Sequence, residues 1–180
     1  MKSKIPWPAL LLVATLLQSC EFSCSVGNKP DKVEGKAVVQ NGARLYNYIT
    51  ATATTLKLSR AYLQFKNGDP VPEGNLTDFS QPVVLHLEID GGWKVDNGKV
   101  AVGAGEKLVA EDGTVLLNEA DLFEGDNGNN ISESDARFIQ LTARFNTKEN
   151  TKPKVFTVYF RVWDKNGDGV IEGSYKLYSN

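Results

Sequence analysis

The chain has 180 residues, of which 41% are hydrophobic and 23% charged, the balance of one globular domain with a short extension rather than of a disordered chain. Acidic residues outnumber basic ones 22 to 20, so there is no cationic excess to neutralise a phosphate backbone, and nucleic acid is not the expected partner. Two cysteines and one histidine leave little for thiolate, imidazole or zinc chemistry.

The N-terminus reads as an address. Lys2 and Lys4 precede an apolar run from Ile5 to Leu17, interrupted by Pro6 and Pro8. As a helix that run would span about 20 Å, too short for a hydrocarbon core of about 30 Å. A basic start, a short apolar stretch and small residues at its end form the secretory-signal pattern. The run closes on Leu17-Gln18-Ser19-Cys20, which resembles the lipobox of bacterial lipoproteins, although Gln18 is bulkier than the small residue usual there. The resemblance covers about twenty residues. It implies that residues 1–19 are removed and that Cys20 becomes an acylated N-terminus, held in a membrane at about 0.8 kcal/mol per buried methylene. Losing Lys2 and Lys4 with the leader takes the formal charge from −2 to −4. The expected location is the bacterial envelope, lipid-anchored on an outer membrane and facing the periplasm. With Cys20 acylated, Cys24 has no disulfide partner left in the chain. The segment 20–35 is rich in Ser, Gly, Asn and Lys and is expected to be a flexible tether.

The remainder, 36–180, is expected to be all-β: an antiparallel β-sandwich, immunoglobulin-like or similar, of about nine strands. Candidate strands run over 36–41, 44–50 and 54–66, where the apolar phase slips by one residue near Ser59-Arg60 and predicts a bulge. Val83, Leu85, Leu87 and Ile89 then share one face, with His86, Glu88 and Asp90 on the other, which is expected to be wet. Short strands follow at 99–102, 105–111 and 114–118. Asp96-Asn97-Gly98, ahead of the first of these, and Asp112-Gly113, between the last two, are expected as type I′ hairpin turns. Helix is expected only as short turns at Asn118–Phe123 and at Ser132–Asp135, the latter capped by Ser132. Ile139, Leu141, Ala143 and Phe145 alternate, as do Phe156, Val158, Phe160 and Val162, and a last strand covers 170–178.

Two constellations could carry function. Asp164, Asn166 and Asp168 occupy positions 1, 3 and 5 of a calcium-type loop, with Gly169 at position 6 and Glu172 as a fourth candidate ligand. Position 12 is Tyr175, and the flanks alternate like strands, so an EF-hand is excluded. Two readings stand: a calcium site, or a hairpin whose loop uses Asn-Gly and Asp-Gly for backbone reasons. Tyr159, Arg161 and Trp163 share the outward side of one strand, either as a binding platform for a protein or a glycan or as a face packed under a loop. No nucleophile elbow, phosphate loop or Cys-x-x-Cys accompanies them, and the expectation is a protein that is not an enzyme. The sequence thus leads to a membrane-anchored lipoprotein that binds other envelope proteins. By architectural analogy it could be an accessory of a secretion or assembly machine, with a glycan- or ligand-binding lipoprotein, calcium-stabilised or not, as the alternative.

Overall fold

The computed structural model describes residues 21–27, 33, 35–145 and 155–179. Cys20 and the leader 1–19 lie outside that range. Fourteen strands appear among the described residues: β1 (Glu21–Val26), β2 (Val38–Gln40), β3 (Ala43–Leu45), β4 (Thr50–Ala53), β5 (Leu58–Phe65), β6 (Leu76–Thr77), β7 (Val83–Ile89), β8 (Lys99–Val100), β9 (Val102–Ala110), β10 (Val115–Glu119), β11 (Ile131–Ser132), β12 (Phe138–Arg144), β13 (Val155–Asp164) and β14 (Val170–Ser179). They form a β-sandwich. One sheet has the order β1-β12-β7-β5-β3-β2, and the other runs β10-β9-β13-β14-β4 with β6 beside β14. Pairing is antiparallel except where β3 meets β5 and β6 meets β14. A two-stranded ribbon of β8 and β11 completes the molecule.

The core follows the alternation. Ala61, Leu63, Val83, Leu85, Leu87, Ile89, Ile139, Leu141 and Ala143 line the inner face of the first sheet. Val102, Ala104, Leu108, Phe156, Val158, Phe160, Val162, Ile171 and Leu177 line that of the second. Phe79, Phe145 and Phe156 close one end, with ring centroids 4.5 to 5.6 Å apart. Trp93 is buried in the same core. The expected slip is present: pairing of β5 with β7 shifts between Leu58 and Arg60, where the Ser59 hydroxyl donates to the Glu88 carbonyl. Asn97 and Gly98 both have positive φ (50° and 73°), the type I′ geometry that joins Asp96 to Lys99.

Several expectations need correction. Glu21–Val26, assigned to the tether, is an edge strand registered along β12 from Glu21↔Arg144 to Val26↔Ile139. Phe22, Cys24 and Val26 turn toward the core while Glu21, Ser23 and Ser25 face water, a period-two pattern hidden by polar, small-residue composition. Asp112-Gly113 is no I′ turn. Only Gly113 has positive φ, and the loop spans three residues, Glu111 to Gly113, between Ala110 and Thr114. Asn118 and Glu119 stay in strand opposite Lys107 and Glu106, and short 3₁₀ turns form instead at Gly125–Gly128 and Asp135–Arg137. The Ser132 hydroxyl does accept the Asp135 amide, at 3.1 Å. His86 is 7% exposed, not wet: its ring lies parallel to that of Tyr62, centroids 4.9 Å apart. Burial pulls its pKa down to about 4, so at neutral pH it packs as an uncharged flat ring.

Candidate functional site

The outward face of the second sheet holds an open groove of about 590 Å³. Strand register builds it in rungs. Asn118, Lys107, Tyr159, Ser174 and Thr50 stand opposite one another on five successive strands. One rung along, Gly105, Arg161, Glu172 and Thr52 do the same, and beyond them Trp163 pairs with Gly103. Cross-strand neighbours point to the same side, so these residues from distant parts of the chain make one surface.

The two glycines give the groove its relief. A Cβ on Gly103 would collide with the Trp163 indole, which lies directly over it, and only glycine lets the ring settle there. A Cβ on Gly105 would stand 2.7 Å from the Ala120 carbonyl oxygen and 2.9 Å from that of Glu119. The chain leaving β10 therefore leans over β9 and walls one side of the groove. Gln40, at the end of β2, lines the groove as well.

Its chemistry is polar and aromatic together. Tyr159 is 44% exposed, with the Lys107 ammonium 4.8 Å from its ring centre. The Arg161 guanidinium sits 5.2 Å from the Trp163 ring centre and 3.0 Å from the Glu172 carboxylate. Both members of that ion pair are more than half exposed, so it contributes only about 0–1 kcal/mol and either partner can turn to a ligand at little cost. Lys107, Arg161 and Glu172 are the charged side chains of these rungs, while Glu119 stands opposite Glu106 at the groove's wall. Thr50 and Ser174 hydroxyls, 3.1 Å apart, and the Asn118 amide add donors and acceptors.

The structure thus brings Tyr159, Arg161 and Trp163 together on one face as the alternation foretold, with unequal roles. Tyr159 is the open ring; Trp163 is half-buried floor. Glu172 belongs to this groove and not to the Asp164 loop. Of the four residues of the calcium reading, Glu172 turns to Arg161. Asp164 is 3% exposed, and its oxygens accept the amides of Lys94 (2.5 Å) and Asn166 (2.9 Å). Asp168 is exposed, and its carbonyl accepts the Thr54 hydroxyl. Among the described residues no group of three or more His, Cys, Asp and Glu could hold a metal. The loop is built around Asp164 as an organiser of backbone amides.

Behind the groove's sheet, between the two layers, lies an acid the sequence did not single out. Glu106 points into the core at 2% exposure, and among the described residues neither carboxylate oxygen has a hydrogen-bond partner. Burial raises its pKa well above the usual carboxylate range. The Tyr175 hydroxyl is buried with no partner among the described residues, and its pKa is raised by burial and then by Glu106. Cys24 of β1 donates its thiol to the Leu122 carbonyl. Its pKa is pushed up to about 12 by burial and then by Glu106 and Asp121, against a lowering by Lys165, so the thiol is no nucleophile.

The fold and this face define the class: a β-sandwich with a polar–aromatic groove on an outer sheet face. No family model matches the chain, and no curated protein does. A similar solved structure is the C-terminal domain of Wzt, at 15% identity and a TM-score of 0.44, covering 78% of this chain and 82% of that one.

Proposed function

We propose that the chain is a non-enzymatic, lipid-anchored envelope protein that binds a neutral saccharide in the groove around Tyr159. The observation that carries this reading is the pairing, on one open face, of an exposed aromatic ring with hydroxyl, amide and charged side chains. An apolar ring face takes the C–H side of a sugar, while the flanking donors and acceptors take its hydroxyls.

The test is retention of the detergent-solubilised full-length protein on an array of neutral oligosaccharides. Retention that falls at least tenfold in Tyr159→Ala and in Arg161→Ala, with unchanged melting temperature, supports the reading. No retention of any glycan, or retention indifferent to both substitutions, removes it.

A second reading, attachment to another envelope protein, is favoured by one feature. Val38 and Val39 are 62% and 70% exposed on β2, the outer edge of the first sheet, where a partner strand could add. It predicts that Val38→Lys with Val39→Lys abolishes co-purification of a partner and leaves glycan retention intact.

A further inference from the structure

The groove does not end at Ser174. Thr50 and Ser174 also line a second hollow of about 460 Å³, flanked by Tyr48 and Tyr178 with Asn75 and Lys176 in its walls. Glu172, Ser174, Lys176 and Tyr178 alternate outward along β14, so both hollows share one strand as their floor. From Glu172 to Tyr178 that strand extends by about 20 Å at about 3.3 Å per residue.

The far hollow has an open aromatic residue of its own. Tyr48 is 68% exposed, and it and Asn47 both have positive φ (52° and 53°), a conformation costly for a tyrosine. The surroundings impose it. The Asn47 side chain donates to the Val71 carbonyl and accepts the Leu63 amide, and the buried Asn75 amide group donates to the carbonyls of Asn47 and Lys176. A network that fixes a strained backbone and leaves a large ring in water gives the ring no packing role, and strain of this kind concentrates at binding sites. Tyr178, 38% exposed, presents a further ring on the same hollow.

We propose that the Tyr48–Tyr178 hollow is a second subsite of the groove, so that the ligand is a saccharide chain of several units laid along β14. This rests on the reading of the groove as a saccharide site. Tyr159 at one end and Tyr48 with Tyr178 at the other, joined through the polar rung that Thr50 and Ser174 share, is the arrangement a chain of sugar rings needs. A mono- or disaccharide would use only the end at Tyr159.

Calorimetric titration of the full-length protein with cellobiose and cellohexaose, maltose and maltohexaose, and mannobiose and mannohexaose tests this. The expected result is at least tenfold tighter binding of the six-unit member of the bound series. Tyr48→Ala with Tyr178→Ala brings its affinity to within threefold of the two-unit sugar, and Tyr48→Phe keeps the gain. A variant merely weakened in folding lowers both affinities and keeps their ratio. Equal affinity for two and six units, or a length gain that survives the double substitution, overturns the second subsite while leaving the groove standing. If no series binds, the groove reading and this one fall together.

Discussion

At the scale of single residues, Glu106 sets the pH behaviour of the fold. Its pKa is raised by burial, so the folded state holds its proton more tightly than the unfolded chain, whose value is 4.5. The resulting stability is fully present below that value and is lost as pH rises through the folded value. His86 acts in the opposite sense. Its pKa is lowered from 6.5 to about 4, so its contribution is present above 6.5 and lost as pH falls toward 4. The two are separable by substitution. Glu106→Leu removes a buried, unpartnered acid that costs about 1–3 kcal/mol and is expected to raise the melting temperature, more at pH 8 than at pH 5. A melting temperature that falls at pH 8 would show that the carboxylate is held by a partner. Asp164 makes the contrasting case, an almost equally buried carboxylate whose oxygens accept two backbone amides, which is why it is a structural residue.

At the scale of elements, β1 changes how the N-terminal region works. Phe22, Cys24 and Val26 pack on the core, and β1 covers the edge of β12 that would otherwise stand open. Phe22→Ala is expected to cost about 1–2 kcal/mol, less than the 3–5 of a fully buried phenylalanine, where a tether residue would cost nothing. Denaturant unfolding measures it, and a midpoint equal to that of the parent would return the segment to a tether. The strands of strong alternation, β7, β12 and β13, and the bulge at Ser59 were legible in the sequence because apolar contrast with period two leaves little choice of register. β1 was not, since its serines and glutamate mimic a linker, and β4 lay within an Ala/Thr run that carries almost no contrast. The site was legible in part. Tyr159, Arg161 and Trp163 lie on one strand and share a face by parity alone. Lys107, Thr50 and Ser174 come from other strands and are joined only by the register of pairing, while Tyr48 comes from the turn between β3 and β4. Glu172 fitted the calcium spacing in sequence, but parity along β14 turns it to the opposite task.

At the scale of the molecule, the strand at Glu21 fixes an orientation. Glu21 pairs with Arg144, and the Phe145–Phe156 contact places the start of β13, and with it Tyr178, at the same end of the sandwich. With Cys20 as the proposed anchor, that end stands next to the lipid headgroups with no spacer between. The groove then climbs from Tyr48 and Tyr178 near the membrane to Trp163 at the far end. Cys20→Ser is expected to release the protein into the soluble fraction after a high-salt wash, and a variant that stays with the membrane would contradict the anchor.

The claim that one sheet face holds the ligand is tested most directly by hydrogen–deuterium exchange of the full-length protein with and without the oligosaccharide it retains best. Slowed exchange is expected on Val102–Ala110, Val155–Asp164 and Val170–Ser179, the three strands that floor the groove, together with Thr50–Ala53 and the turn at Tyr48 beside them. Protection on Val83–Ile89 and Phe138–Arg144 of the opposite sheet, or at the Val38–Gln40 edge, with none on those three strands, would contradict it.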